Sequence, residues 1–130
     1  MKQTSVEDRT FGHGNAIEIS AAGGMSGQIA LFPDLPFALL RLTLRNSDTQ
    51  PQILNRVHVT SFSIDLGTNN LTTLGTGGLA PADKNPGSYV WLAAAEPHTR
   101  HGVVAAWLTH DRASGVLFTS EENGRPKVEA

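Results

Sequence analysis

Residues 88–119 read SYVWLAAAEPHTRHGVVAAWLTHDRASGVLFT and decide the fold of the chain. Three short apolar segments alternate with two polar links; the segments are residues 89–95, 103–108 and 116–118, and the links are residues 96–102 and 110–115. Both links contain residues that favour turns, among them Pro, Asp, Ser and Gly. Segments this short, rich in Val, Ala and aromatic residues, are typical of strands rather than helices. The pattern predicts an antiparallel β-meander.

The first segment is apolar on both of its faces. Because strand side chains alternate between the two faces of a sheet, Tyr89 and Trp91 share one face, and Val90 and Leu92 share the other. Residues 103–108 are also apolar throughout. A sheet that is covered on both sides requires a second layer of structure. We therefore expect the meander to be one part of a layered β protein.

The composition excludes several classes of protein. A chain of 130 residues fits one domain, which buries about two thirds of the surface of its unfolded form. The chain has no cysteine, which excludes disulfides and thiolate metal sites. Its net charge of -2 comes from scattered charges that form no basic stripe. Nucleic acid is therefore not an expected partner.

The N-terminus gives no sign of membrane targeting. No apolar run is long enough to span a bilayer, so no membrane partner is expected. Residues 1–10, MKQTSVEDRT, lack the hydrophobic segment of a signal peptide. We expect either a cytoplasmic protein or a fragment that begins partway through a longer natural chain. Residues 1–10 are predicted to be a flexible N-terminal segment, and residues 11–130 to form one β-sandwich domain.

Two stretches ahead of the meander alternate clearly between apolar and polar residues. In residues 16–20, Ile17 and Ile19 are predicted to face inward. A second short strand is predicted at residues 28–32. Residues 37–45 then form the clearest half-buried strand, whose core-facing residues are predicted to be Ala38, Leu40, Leu42 and Leu44.

The next stretch predicts a hairpin and then a loop. Residues 46–51 carry turn-forming residues and residues 53–59 resume the alternation, so residues 37–59 are predicted to form a hairpin. The apolar positions change from odd to even after Val59, which predicts a bulge or bend near Thr60. Residues 67–87 hold five glycines and two prolines. They offer only a brief strand at Leu71 and Leu74 and are predicted to be the longest loop, of a kind that is often functional or partly disordered.

These elements together predict the fold class. Turn signals separate about eight candidate strands, and no helix longer than a turn or two has amphipathic support. We predict an all-β fold, an antiparallel β-sandwich of supersandwich or jelly-roll type.

Three histidines, His98, His101 and His110, are close enough in sequence to suggest a shared metal ion. His98 and His101 fall in one link, whereas His110 follows the next strand, so we expect them at opposite ends of the meander. A structural role in turns is favoured for each. A structural role in a turn is also favoured for residues 109–112 over a catalytic one, because nucleophile triads are assembled from distant positions. No metal ligand and no cofactor is predicted.

Carboxylates offer no better evidence for catalysis. Glycoside hydrolysis requires two carboxyl groups that face each other about 5 to 10 Å apart. The sequence selects no pair among its candidates, which are Glu18, Asp65, Asp83, Glu96 and Asp111. Most of them lie in or beside predicted turns, so no catalytic residue is predicted.

The aromatic residues of the meander are the candidate carbohydrate-binding residues. Tyr89, Trp91 and Trp107 could form a platform on which a sugar ring stacks its apolar face. Core packing is the alternative and is favoured for Trp91 and Trp107, since both lie mid-strand among apolar residues. A platform requires an exposed indole, whereas core packing requires a buried indole with its N–H bonded inside.

The meander resembles the N-terminal β-sandwich domain that precedes the catalytic barrel in alpha-galactosidase-type (melibiase-like) glycoside hydrolases. The matching parts, in order, are the aromatic and apolar strand 89–95, the polar link 97–101, the Gly-apolar-apolar run 102–105, a strand at 106–109 close to the family's "gwlT", and the apolar strand 116–118. The predicted hairpin 37–59 is also similar to paired strands of such domains. The resemblance covers about half of the chain. Many sandwich domains share this order of strands and turns.

The resemblance implies a non-catalytic, carbohydrate-associated domain that supports a separate barrel. In that family the catalytic carboxylates belong to the barrel, so none is carried over, and the counterpart of a loop that reaches the sugar pocket would be residues 67–87. The implied partners are a carbohydrate and an adjacent catalytic barrel. Two alternatives remain: an independent carbohydrate-binding module, and a small metal-dependent jelly-roll enzyme. A domain that lacks its neighbour should also expose an apolar patch, which could produce a homodimer of the isolated domain.

Overall fold

The computed structural model describes residues 1–68, 70–85, 87–111, 113–123 and 125–130, and only the backbone of residue 22. All of its strand pairs are antiparallel. The helical elements in this part of the chain are two single turns of 3-10 helix, Ala22–Gly24 and Ala82–Lys84, and no helix in it is long and apolar enough to cross a membrane. The predicted all-β fold class is confirmed.

The chain divides into two compact units, Met1–Val57 and His58–Ala130. The first unit is one four-stranded sheet in which each strand pairs with the next along the chain. Its strands are β1 (Lys2–Asp8), β2 (Gly12–Ser20), β3 (Met25–Leu31) and β4 (Ala38–Leu44).

Strand β1 lies in the segment that was predicted to be flexible. It pairs with β2 along its whole length, from Lys2 opposite Glu18 to Asp8 opposite Gly12. The turn between the two strands is closed by the Asp8 carboxylate, which accepts hydrogen bonds from the backbone N–H groups of Thr10 (2.8 Å) and Phe11 (3.1 Å). The polar residues 1–10 gave no sign of this strand, because the ladder hydrogen bonds that order it come from β2.

The first unit has a small core on one face of its sheet. Ala16, Ala30 and Phe32 are buried there. The ring of Phe11 lies against those of Phe32 and Phe37, with ring centroids 5.4 and 4.9 Å apart. The Phe32 ring also covers Gly14, where an added Cβ would lie 2.8 Å from it. Small strand residues therefore let the phenylalanine rings close onto this face.

The prediction that Ile17 and Ile19 face inward is wrong. Burial in β2 falls on Gly14 and Ala16, so the two isoleucines lie on the opposite face and are exposed. Ala38, Leu40, Leu42 and Leu44 do share one face of β4, as predicted, but they are not core residues either: Leu42 is half-buried and the other three are exposed. Alternation correctly identified which residues share a face, but the phenylalanine rings decide which face is covered.

The predicted hairpin at residues 37–59 is also wrong. Its turn is present, since Asn46 bonds the Gln50 carbonyl (2.9 Å) and the Asp48 N–H (2.9 Å). However, residues 45–60 contain no strand, and Ile53 is 89% exposed. Strand β4 is paired with β3 instead.

The second unit contains two four-stranded sheets. The first sheet has the order β10-β9-β6-β7, with β6 at Thr72–Gly75, β7 at Gly78–Pro81, β9 at Trp91–Ala95 and β10 at Gly102–Ala106. The second has the order β5-β12-β11-β8, with β5 at Ser61–Ser63, β8 at Ser88–Tyr89, β11 at Val116–Glu122 and β12 at Arg125–Glu129.

The two sheets of the second unit enclose one hydrophobic core. Leu92 and Ala94 enter it from the first sheet, and Leu117 and Val128 enter it from the second. Ile64 is buried in the same core, which agrees with the predicted change of apolar parity after Val59. The unit is thus a β-sandwich, as the meander predicted.

The predicted continuous strand at residues 89–95 is interrupted at Val90. Val90 has a φ of 71°, and there the chain passes from β8 in the second sheet to β9 in the first. The Val90 N–H donates to the Gly115 carbonyl (3.1 Å), and the Trp107 N–H donates to the Val90 carbonyl (2.7 Å). The prediction that both faces of residues 89–95 are covered is wrong, since Leu92 and Ala94 are buried but Trp91, on the other face, is exposed.

Residues 67–87 do not form one long loop. They contain the hairpin of β6 and β7 and the second 3-10 turn, while residues 69 and 86 lie outside the described part. Two fully buried side chains stabilise this hairpin: Thr73 bonds across it, and Ser88 joins it to the meander. Thr73 Oγ1 donates to the Ala80 carbonyl (3.1 Å), and Ser88 Oγ accepts from the Thr76 N–H (2.9 Å) and donates to the Trp91 carbonyl.

Candidate functional site

Tyr89 and Trp91, two of the three candidate carbohydrate-binding residues, lie on either side of the sheet switch at Val90. Tyr89 is 60% exposed in the second sheet, and Trp91 is 37% exposed on the outer face of the first sheet. Since Val90 rotates the chain between them, the two rings belong to different sheets. Each offers part of an aromatic surface to solvent.

Trp107, the third candidate, packs into the second unit. Its half-buried indole lies against the core and covers Gly115, where an added Cβ would lie 2.6 Å from the ring carbon Cδ2. Its Nε1 is buried and has no hydrogen-bond partner among the described residues. Trp107 thus combines the packing of a core residue with an indole N–H that is not bonded inside.

The outer face of the first sheet carries a row of exposed apolar residues around Trp91. Val104 lies opposite Ala93, Ala93 opposite Leu74, and Leu74 opposite Leu79, so the row crosses all four strands. Leu79 is 74% exposed and Val104 67%. We call Leu74, Leu79, Trp91, Ala93 and Val104 the Trp91 face.

A second exposed apolar surface lies on the sheet of the first unit. It consists of residues that share the face opposite the Phe32 core, and we call it the aliphatic face: Ile17, Ile19, Met25, Ile29, Leu31, Leu40, Leu42 and Leu44. Its central row runs from Gln3 through Ile17 and Ile29 to Leu40, each opposite the next in the strand register. A shallow depression lined mostly by apolar atoms lies at the β1 end of this row.

Among the candidate carboxylates, Glu96 stabilises a turn. It is buried in the link between β9 and β10 and accepts hydrogen bonds from the backbone N–H groups of Thr99 and His98. These bonds, that of Thr99 first and then that of His98, lower the pKa of Glu96. A general acid in a glycosidase needs a raised pKa, so the environment of Glu96 favours a structural carboxylate.

Two other candidate carboxylates also have partners. Asp65 forms an ion pair with Arg125 (3.0 Å) and accepts the Gly67 N–H (2.9 Å). Glu18, in the first unit, accepts a hydrogen bond from Gln28 (3.3 Å). These contacts stabilise a turn and the ladder between two strands.

The histidines are distributed as the sequence predicted. His98 and His101 are exposed in the link before β10, and His110 follows β10, where its Nδ1 accepts the Gly115 N–H (3.4 Å). Across the described residues, no three His, Cys, Asp or Glu side chains are grouped so that they could hold a metal ion.

The sequence led us to expect an exposed apolar patch, but it located neither of these two surfaces. It assigned Leu40 and Ile17 to the core and gave Leu74 only a brief strand within a predicted loop. One signal in the sequence could have indicated these surfaces: the strands contain more apolar residues than one small core can bury. Comparisons with protein-family models, with curated proteins and with solved structures find no match to this chain.

Proposed function

We propose that this chain is a non-catalytic, carbohydrate-associated β-sandwich module that supports the catalytic barrel of an alpha-galactosidase-type glycoside hydrolase. The observation that carries the proposal is the Trp91 face, of which Trp91, Ala93 and Val104 belong to the meander that resembles the sandwich domain of that family. An apolar sheet face of this kind is stabilised when another protein surface covers it.

The chemistry of the Trp91 face suits a partner domain. Its members Leu79, Val104 and Trp91 are exposed and apolar, and contacts between domains bury surfaces of this kind while leaving a polar rim. The polar Thr72 on β6 borders the row, in register with Pro81 on β7. The barrel would cover the row and leave that border at the rim.

The environments of Glu96 and Asp65 favour a structural role for this chain over a catalytic one. The pKa of Glu96 is lowered by backbone N–H groups in a turn, and Asp65 is paired with Arg125. Retaining and inverting glycosidases need a carboxylic acid that remains protonated near neutral pH, opposite a second free carboxylate. Neither Glu96 nor Asp65 suits that role.

The test is depletion of enzyme activity from extracts of the source cells. Antibodies raised against the purified chain should remove α-galactosidase activity, measured with p-nitrophenyl α-galactoside, whereas pre-immune serum should not. The purified chain alone should not hydrolyse this substrate. Unchanged activity in the depleted extract, or hydrolysis of this substrate by the purified chain alone, would contradict the proposal.

A second candidate, an independent carbohydrate-binding module, is favoured by the exposed rings of Tyr89 and Trp91. Sugar rings stack on exposed aromatic planes. Under this hypothesis, calorimetric titration with melibiose or raffinose gives measurable binding, which Trp91→Ala weakens by about tenfold or more. Val104→Ala is the matched control, because it removes apolar surface from the same face without removing a ring. Absence of binding by the unmodified chain at millimolar sugar excludes this candidate.

A further inference from the structure

We propose that the aliphatic face of the first unit is the interface of a homodimer, in which two copies of the chain stack these faces against each other. The inference is independent of the proposed function, which concerns the Trp91 face of the second unit.

The aliphatic face carries more large aliphatic residues than the core on the other side of the same sheet buries. That core buries two alanines and one phenylalanine, whereas the aliphatic face carries isoleucines, leucines and a methionine that are largely exposed. Ile29, at its centre, is 40% exposed, and Leu31 is 58% exposed. Soluble monomers rarely leave a contiguous surface of this kind in water, and larger patches usually mark interaction sites.

The size of the face fits an interface between two sheets. The sheet has four strands of at least seven residues each, of which β2, β3 and β4 supply the apolar members of the face and β1 supplies a polar edge at Gln3. Strands about 4.8 Å apart, with a rise of about 3.4 Å per residue, give a face of roughly 19 by 24 Å, or about 450 Å² in projection. Two copies would cover about 900 Å² before the corrugation of the side chains is added, which approaches the roughly 1,000 Å² expected of a specific interface.

The distribution of charge on the sheet favours a self-complementary contact. In a dimer with two-fold symmetry the same patch meets itself, so any charge near its centre faces an equal charge. The central row, Gln3, Ile17, Ile29 and Leu40, contains no ionisable side chain.

Charged groups of this sheet lie away from that row. The ion pair of His13 with Glu7 lies on the same side of the sheet as Ile17, but at the end where β1 and β2 meet. The side chain of Arg41 points to the opposite face, because its neighbours Leu40 and Leu42 belong to the aliphatic face. Two stacked copies would therefore bring together aliphatic side chains without opposing like charges at the centre.

The stacked arrangement would complete a sandwich from two chains. Face-to-face sheets pack about 10 Å apart with their strands nearly aligned, and their inner side chains interdigitate. The aliphatic face supplies one such inner layer. A second copy supplies the other, so the dimer would bury the residues that the sequence pattern assigned to a core.

The test is sedimentation equilibrium of the full chain from about 1 to 200 µM, a range that brackets dissociation constants typical of modest dimers. We expect a mass that rises towards twice 13.8 kDa. Ile29→Glu should raise the dissociation constant at least 100-fold, because it buries a carboxylate against its own copy. Leu31→Lys, at the most exposed residue of the face, is the second variant in case Ile29→Glu does not fold.

Two control variants separate this face from the other surfaces. Leu79→Glu changes the Trp91 face, and Thr43→Glu changes the opposite side of β4; both are exposed and should leave the dimer unchanged. An equimolar mixture of the Ile29→Glu and Ile29→Lys chains should associate at least tenfold more tightly than either variant alone. Circular dichroism and thermal unfolding establish that each variant is folded.

Three results would overturn the proposal. The first is a mass of 13.8 kDa for the unmodified chain at every concentration, which would leave this face to another protein or to solvent. The second is a dimer that persists in a folded Ile29→Glu variant. The third is a dimer that Leu79→Glu abolishes, because association would then use the Trp91 face.

Discussion

The two units of this protein use similar strands in different ways. In the second unit, two sheets face each other, and Leu92 from one meets Leu117 and Val128 from the other in a closed core. In the first unit, a single sheet covers one side with phenylalanine rings and leaves Ile29 and Leu40 exposed on the other. The same alternation of residues therefore yields a core in one unit and a surface in the other. Whether a second layer covers the sheet decides between them.

Two matched leucine truncations should separate the closed core of the second unit from the exposed sheet face of the first. Leu92→Ala removes a side chain that is 1% exposed and should lower the free energy of unfolding of the second unit by about 2 to 5 kcal/mol. Leu40→Ala removes one that is 38% exposed and should cost about 1 kcal/mol or less at low protein concentration. Urea denaturation followed by circular dichroism measures both.

The outcome also bears on the proposed dimer. Equal losses for the two variants at low concentration would show that the aliphatic face is covered within one chain, contrary to the exposure of Leu40. A loss for Leu40→Ala that grows with protein concentration would instead place Leu40 in an interface between copies, since dimerisation adds stability by mass action.

Two glycines, one in each unit, should show the same difference in packing with a smaller effect. At Gly75 in β6, an added Cβ would lie 2.6 Å from Ser88 Cβ, and Ser88 is fully buried and bonded to the Thr76 N–H. Gly75→Ala should therefore destabilise the second unit by about 1 to 3 kcal/mol. Gly27 in β3 has no atom within 4 Å of the corresponding position and no positive φ.

Gly27→Ala is accordingly the control, and it should be neutral or stabilise the first unit by up to about 1 kcal/mol, because glycine in a strand is disfavoured relative to alanine. Thermal unfolding of both variants measures the contrast. A Gly75→Ala variant as stable as the unmodified chain would mean that the hairpin of β6 and β7 packs less closely on β8 than the position of Ser88 implies.

The sequence predicted the second unit better than the first because the local pattern there agrees with the tertiary environment. The apolar segments around Leu92, Leu117 and Ile64 become strands that face one core. In the first unit, the residues that decide burial are Ala16 and Gly14, whose small size admits the Phe32 ring. A hydrophobicity pattern gives more weight to Ile17 and Ile19, so it selected the wrong face.

Other features depend on contacts that no local pattern records. β1 is polar and is ordered by its hydrogen bonds to β2. The switch of sheets at Val90 places a β-branched residue in a backbone conformation that such residues rarely adopt. Trp107 covers Gly115, eight positions away, across a link whose geometry the sequence does not specify. Of the candidate site, the sequence supplied the aromatic residues but not their division between two sheets.

The smallest expected effect concerns the link between β9 and β10, a turn of the second unit that is stabilised by charge rather than by packing. The pKa of Glu96 is lowered in the folded protein by the backbone N–H groups of Thr99 and His98. A group with a lowered folded pKa stabilises the fold above its unfolded pKa, about 4.3 for glutamate. This stability is lost as the pH falls below that value and through the folded pKa.

The thermal midpoint of the unmodified chain should therefore fall more steeply below about pH 4.3 than that of Glu96→Gln, while the variant should already be less stable at pH 7. Glu121→Gln, at an exposed position of β11, is the control and should keep the pH dependence of the unmodified chain. Thermal scans between about pH 3 and 7 test this. If the thermal midpoints of Glu96→Gln and the unmodified chain changed in parallel with pH, the hydrogen bonds in this turn would not depend on the charge of Glu96. Packing alone would then be sufficient to stabilise the link between β9 and β10.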